Sequence, residues 1–168
     1  GGQRLADDSL MVGGHRVRVA AFPIGIDPQA FSQLALSQSM AAVSARVPLR
    51  IIGVERLDYT KGLPQRLQAF EHLLRHAPRY CGRLEFLQIA APSRESVPEY
   101  RALRDELEAQ SGRINARYAS LDWIPMRYLN QLFDREHLAG LYRHSRVGLV
   151  TPLRDGMNLV AKEYVAAQ

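Results

Sequence analysis

Residues 49–64, Leu49-Arg-Ile-Ile-Gly-Val-Glu-Arg-Leu-Asp-Tyr-Thr-Lys-Gly-Leu-Pro64, decide how the rest of the chain is read. The run opens with LRIIGV at 49–54, short, apolar and β-branched, as a strand covered on both faces is. ERLDYTKG at 55–62 interrupts it with charge and ends on glycine. A helix follows, with apolar positions Leu63, Leu67, Phe70, Leu74 and Ala77 at helical spacing, Pro64 tolerated in its first turn and Pro78 stopping it. Strand, charged loop and helix make half of a parallel crossover. Repeated along the chain, the unit predicts an α/β fold, a parallel sheet with helices on both faces.

The unit does repeat. Downstream, residues 84–91 (LEFLQIAA) read as the next buried strand, and Ser96-Val-Pro-Glu99 has the spacing of a capping box. That box opens a helix burying Tyr100, Leu103 and Leu107 and ending near Gly112. Residues 123–129 predict a strand broken in register by Pro125. Asp134 caps a short helix through Leu138, Leu141 and Tyr142, residues 147–151 (VGLVT) predict a further strand, and Asn158 begins the last helix. Upstream, residues 17–22 (VRVAAF) predict a strand ending at Pro23. Asp27-Pro28 then offers an N-cap and a first-turn proline to a helix carrying Phe31, Leu34, Gln38 and Ala41 to about Val47. Four or five strands with crossover helices result. The closing NLVAKEYVAAQ reaches the last residue with no stop signal, the pattern expected of a truncated sequence.

With 46% hydrophobic side chains among 168 residues, the chain can build a core. No apolar run of about eighteen residues exists, and the opening GGQRLADDSLMVGG is neither a basic leader nor an apolar segment. Neither a transmembrane helix nor a signal peptide is expected, and a cytoplasmic location is. Cys81 is the one cysteine, so it forms no internal disulfide, and no histidine or second thiol stands near it at ligand spacing. It reads as a packing residue. The formal charge of +5 is compatible with nucleic acid, an acidic membrane or a phosphorylated small molecule. Its arginines are dispersed among acids, without the basic and aromatic stripe that tracks a nucleic-acid backbone, and most belong to ordinary solvated helix faces. The only lysines, Lys61 and Lys162, fall inside the two segments that carry chemistry.

The first segment is Glu55 to Gly62. In open α/β sheets ligands bind beyond the carboxyl ends of strands, where helix N-termini favour anions. Arg56 and Lys61 stand at such a place, close enough to converge on one diphosphate, arginine as a fork and lysine as a point charge. From position alone the alternative stays open, in which Arg56 pairs with Asp58 and Lys61 is solvated. The second segment runs from Thr151 to Glu163. Asp155-Gly156 makes a turn, Gly156 permits close approach of a ligand, and the N–H groups of about Met157 to Val160 are first-turn donors. Glu163 faces the same crevice and suits vicinal hydroxyls. Here too a plainer reading stands, with Asp155 only an N-cap and Glu163 paired to a helix neighbour.

VERLDYTKGLPQRLQAFEHLL, LQIAAPSRESVPEYRALRDELE, GRINARY and GLVTPLRDGMNLVAKEYVAAQ, with AFPIGID near the start, resemble the trehalose-6-phosphate synthase family of retaining glycosyltransferases. The resemblance covers essentially the whole chain. It implies a GT-B enzyme of two Rossmann-like domains that transfers glucose from UDP-glucose to glucose 6-phosphate, releasing UDP and trehalose 6-phosphate. Residues 1–45 would then be the end of the amino-terminal acceptor domain and the interdomain crossing. Residues 46–168 would be the nucleotide-sugar-binding domain, truncated at its carboxyl end. By motif position Arg56 and Lys61 look like the pair that binds the donor diphosphate, and Asp155 like the carboxylate that holds donor glucose hydroxyls. Arg94 looks like the arginine that reaches the phosphate of glucose 6-phosphate, Phe133 like the position whose backbone contacts uracil, and Glu163 like the ribose ligand. Gly156, Met157, Asn158, Leu159, Val160, Ala161 and Lys162 match the loop and helix start that bind the donor.

The family's chemistry is same-face attack, with neither a carboxylate nucleophile nor a metal. No cofactor is therefore expected beyond UDP-glucose as substrate, and Arg56 and Lys61 stabilise the departing diphosphate. An active site built between two domains cannot close with one, so turnover by this stretch alone is not expected. A non-catalytic family member, or a related synthase with another nucleotide donor or phosphorylated acceptor, remains the alternative. Nucleic-acid and membrane partners are not expected, and a homo-oligomer is left open.

Overall fold

The computed structural model describes residues 3–4, 9–38, 49–94 and 96–168. Its first sheet is small and antiparallel, with β1 (Gln3–Arg4), β2 (Ser9–Val12) and β3 (His15–Arg18) in chain order. Val12 pairs with His15 across a turn made by Gly13 and Gly14, both at positive φ. The strand expected at 17–22 thus lies earlier and in a different kind of sheet. The glycine pair sets a hairpin, and the apolar run after Val17 has no partner strand among the described residues to complete a ladder.

The second sheet is the expected parallel one. It contains β4 (Leu49–Arg56), β5 (Leu84–Ala91), β6 (Met126–Leu129) and β7 (Val147–Gly148), in the order β6-β5-β4-β7. Ile51 stands between Phe86 on one side and Val147 on the other. Side chains alternate across the sheet and build two cores. Phe86, Ala90 and Met126 meet α2 (Leu63–His76) and α3 (Pro98–Tyr118) on one face. Ile52, Val54, Leu87 and Ile89 meet α1 (Pro28–Ser37), α4 (Arg135–Arg143) and α5 (Leu159–Ala166) on the other. Phe31 and Ala35 of α1 are fully buried there, so this helix packs with the parallel sheet. No helix among the described residues is long and apolar enough to cross a membrane.

Five element ends differ from expectation. α1 ends at Ser37, and the part of its expected extension at 39–48 lies outside the described residues. α3 starts with Val97 as N-cap and Pro98 in the first turn, so the Ser96 capping box does not form. It also runs past Gly112 to Tyr118. Ile114 is buried, and the Asn115 amide donates to the Met126 carbonyl at 2.9 Å and accepts its N–H at 3.0 Å, so tertiary bonds carry the helix over the glycine. β6 begins only at Met126, after Pro125, while Trp123 makes an isolated bridge to Ser120. β7 stops at Gly148, its ladder prolonged by the Leu149 N–H to the Ile52 carbonyl at 2.8 Å.

From β4 the chain steps outward to β5 and β6, then returns past β4 to lay down β7. The connections after β4 and β7 therefore diverge, and a crevice opens between them at the carboxyl edge.

Candidate functional site

β4 ends in Glu55 and Arg56 at that crevice. Asp58 then caps a single 3-10 turn, Tyr59–Lys61, accepting from the Thr60 N–H at 2.9 Å and the Thr60 hydroxyl at 2.7 Å. Burial pushes the Asp58 carboxyl up, but those bonds, the field of Arg56 and the Tyr100 hydroxyl outweigh it and hold the group below the usual range. Gly62 turns the chain into α2 from the left-handed region at φ 63, and a side chain on it would stand 2.9 Å from Leu153 Cγ.

Inside this turn the Lys61 side chain, 10% exposed, puts its ammonium 2.6 Å from Asp155 Oδ2 and 3.8 Å from Glu55 Oε2. The loop that carries Asp155 is fixed to the first. The Thr60 carbonyl accepts from both the Leu153 N–H at 2.9 Å and the Arg154 N–H at 3.0 Å. Asp155 accepts also from Asn158 Nδ2 at 3.0 Å and the Gly156 N–H at 2.9 Å. The Lys61 bond, followed by those of Asn158 and Gly156, outweighs burial and keeps this carboxyl below its ordinary value. Asn158 caps α5 by accepting the Ala161 N–H at 3.1 Å. The N–H groups of Leu159 and Val160 are left without a partner among the described residues, as the first turn of a helix leaves them.

These groups border a cleft of about 320 Å³. Arg56 is exposed on its wall and has no hydrogen-bonding partner among the described residues. Glu163 reaches it from α5. Burial raises this carboxyl above the ordinary glutamate value, against the opposing pull of Arg135 and the Tyr142 hydroxyl. Negative ligands fit such a wall: two cations, a free pair of helix N–H groups, and carboxylates set to one side for hydroxyls.

The structure thus brings Arg56, Lys61, Asp155, Met157, Asn158, Leu159, Val160 and Glu163 to one cleft. Gly156 lies beside them on the exposed loop, where an added Cβ would meet no chain atom within 4 Å. Ala161 and Lys162 turn the other way. Both line an apolar groove with Ile26 and Val165, and Lys162 donates to the Ile24 carbonyl at 2.8 Å. Phe133 sits half-buried against the α1 and α4 side of the core, on the connection from β6 to α4, and does not border the cleft. Arg94, exposed and at positive φ, donates to the Tyr100 hydroxyl at 3.2 Å, and Tyr100 donates to Asp58 Oδ2 at 3.4 Å. It is tied to the first loop without lining the cleft.

Two residues of the site were not picked out from the sequence, Glu55 and Arg66. Arg66 is 2% exposed, and its guanidinium bonds Glu55 Oε1 at 3.3 Å, Gln88 Oε1 at 3.2 Å and Thr151 Oγ1 at 3.1 Å. The signal was present. Arg66 falls three residues after Leu63 and four before Phe70, on the apolar stripe of α2, and a charge on such a stripe requires a buried partner.

The family model of glycosyltransferase family 20 matches residues 3–168. A curated trehalose-6-phosphate synthase of Cronobacter sakazakii is 49% identical over 168 residues, covering 97% of this chain and 35% of its own length. Among solved structures, a UDP-forming α,α-trehalose-phosphate synthase from Burkholderia xenovorans superposes with a TM-score of 0.93 at 46% identity, over 99% of this chain and 39% of that one. An E. coli structure bound with UDP-2-fluoro glucose gives a TM-score of 0.93 at 46% identity, over 100% of this chain and 38% of that one. The B. xenovorans synthase in complex with glucose-6-phosphate gives 0.89 at 45% identity, over 95% and 37%. The chain spans about a third of the length of the curated relatives it matches.

Proposed function

Because the chain belongs to glycosyltransferase family 20, we propose that it carries the donor-binding half of a retaining glucosyltransferase. The reaction is transfer of glucose from UDP-glucose to glucose 6-phosphate, giving trehalose 6-phosphate and UDP in the cytoplasm. One observation carries the reading. Lys61 from one loop and Asp155 from the other meet at 2.6 Å on a cleft that also presents Arg56 and the amino end of α5. Solved relatives bound with UDP-2-fluoro glucose and with glucose-6-phosphate support it.

As the bond from glucose to UDP breaks, negative charge grows on the departing diphosphate. Lys61, held by Asp155, and the Leu159 and Val160 N–H groups, held by α5, are fixed in advance to meet that charge, which lowers the barrier with little reorganisation, and Arg56 adds its charge from the exposed wall. Asp155 takes the donor glucose hydroxyls. Held below the ordinary aspartate value, it stays ionised and a pure acceptor at neutral pH. Glu163 receives the ribose hydroxyls, the Phe133 backbone the uracil and Arg94 the acceptor phosphate, and the two cations with the α5 N–H groups meet the leaving group, without a metal. We place the division between the two domains near residue 27, ahead of α1, because Phe31 and Ala35 are buried in the core of the parallel sheet.

The test is an assay of the full-length protein with UDP-, ADP- and GDP-glucose against glucose 6-phosphate, with and without a chelator. Trehalose 6-phosphate formed from UDP-glucose at a chelator-insensitive rate is the expected result. Arg94→Ala raises the KM for glucose 6-phosphate at least tenfold while UDP affinity holds. Absence of product with all three donors would defeat the reading, and equal weakening of both ligands would remove Arg94 from the acceptor site.

A further inference from the structure

Four charged side chains crowd together at the cleft, Glu55, Lys61 and Asp155 on its wall and Arg66 behind it. Glu55 is the shared member. One of its oxygens is 3.3 Å from Arg66 Nη2 and the other 3.8 Å from Lys61 Nζ, and its side chain is 3% exposed. A carboxylate so buried takes a cation wherever one is within reach. Arg66 supplies it from the core side and cannot itself touch a ligand, being 2% exposed and absent from the cleft wall. Its Nε and Nη1 donate to Thr151 Oγ1 and Gln88 Oε1, so each of the three guanidinium nitrogens is held at one point. Lys61, drawn less closely to Glu55, is left to Asp155 at 2.6 Å and to the cleft.

Resting on the donor-site reading above, we propose that Arg66 is a positioning residue for the donor diphosphate. By neutralising Glu55 from behind, it keeps the Lys61 ammonium free to face the ligand. Without it, Glu55 captures Lys61 as its only counter-ion and the ammonium turns from the cleft. Through Thr151 the same guanidinium also reaches the start of the loop that bears Asp155, so it acts on both halves of the donor wall.

This account predicts a charge relationship that simple packing does not. In the full-length protein Arg66→Gln weakens UDP binding, read by calorimetry, at least tenfold, with the KM for glucose 6-phosphate within twofold of wild type. Glu55→Gln alone tightens UDP severalfold, because an anion leaves the rear of the site. The double variant Glu55→Gln/Arg66→Gln recovers UDP affinity to within threefold of wild type, and Arg66→Lys, which keeps the charge but loses the fork, stays within about fivefold. A double variant as weak as Arg66→Gln, or weaker, overturns the proposal in favour of a purely packed role. Where Arg66→Gln fails to fold, the other variants decide: a tenfold loss of UDP affinity in either Glu55→Gln or Arg66→Lys overturns it as well. Lys61→Ala separates this inference from the reading it rests on. If that variant binds UDP like wild type there is no donor site to position. If it loses UDP while the Arg66 and Glu55 variants behave otherwise than stated, only the role of Arg66 falls.

Discussion

The two ends of the parallel sheet carry buried ionic clusters of opposite design. At the amino edge, Glu85 of β5 is fully buried and spans two arginines, with Arg50 Nε at 2.8 Å from one oxygen and Arg127 Nε at 2.9 Å from the other. Each carboxylate oxygen has its own charged donor, and the set is closed. At the carboxyl edge Glu55 is shared unequally between Arg66 and Lys61, Asp155 takes the near side of Lys61, and Arg56 has no hydrogen-bonding partner among the described residues. The first cluster ties β4, β5 and β6 together, while the second lines the cleft and leaves the Arg56 side chain without a hydrogen-bonding partner among the described residues. A buried charge group completed within the fold marks architecture, and one left a partner short beside a cleft marks binding.

The largest effect that separates them is in stability. Glu85→Ala leaves two arginines without their counter-ion and is expected to cost about 3–5 kcal/mol in urea denaturation, with the UDP affinity of the folded protein unchanged. A variant that unfolds normally but loses UDP would break the contrast. Next come Lys61→Ala and Arg56→Ala, each expected to weaken UDP by about 2–4 kcal/mol in calorimetry. Arg56→Ala shifts stability by no more than about 0.5 kcal/mol, as its exposed side chain has no hydrogen-bonding partner among the described residues to strand. Arg127→Ala sharpens the comparison from the other side. Its side chain is 48% exposed and Arg50 remains on Glu85, so a stability loss of about 1 kcal/mol is expected, with no effect on UDP.

The smallest effects are those of pH. Asp155 has a lowered carboxyl, so its contribution to stability is complete above the ordinary value of 3.8 and lost as pH falls through the lower folded value. Asp155→Asn flattens that acid limb of a stability profile. Glu163 runs the other way, since burial raises it above 4.5 and its ionised form opposes folding at neutral pH. Glu163→Gln is therefore expected to raise the midpoint of thermal unfolding slightly at pH 7, with the gain gone below pH 4.5, while weakening UDP. A gain that persisted in acid would deny the carboxylate that burden.

Where sequence patterns are local, they located the fold closely. The β5 run matched its strand at both ends, and the apolar stripe of α2 buried the residues its spacing named. Errors came where distant groups decide. α3 crosses Gly112 because of bonds from Asn115 to Met126, and β3 is set by a glycine turn that an apolar count undervalues. The site divides in the same way. Arg56 and Lys61 were legible as strand-end cations, but the partner of Lys61 lies 94 residues on, and no spacing rule joins the two. The plainer pairing of Arg56 with Asp58 is reduced to the field of one on the other, with Thr60 on Oδ1 and Tyr100 on Oδ2 of that carboxylate. Lys162, named with the stretch that resembles the family's donor-binding helix start, has its side chain on the Ile24 carbonyl and lines the groove beside Ile26 instead of the cleft. Glu55 and Arg66 stayed hidden because strand and helix were judged by their apolar positions.

The Thr60 carbonyl, which takes two backbone N–H groups from the facing loop, has an outcome for anyone who wishes to redesign the pocket. Main-chain bonds of this kind survive any exchange of side chains, so point substitutions can retune charge here without disturbing how the walls face each other. Transplanting a single loop from a distant homologue is another matter. The imported backbone would have to offer its oxygen at the same height, or the opposite wall, with its acidic side chain, would swing away. The two connections form one heritable module, and recombination between family members should cut outside both.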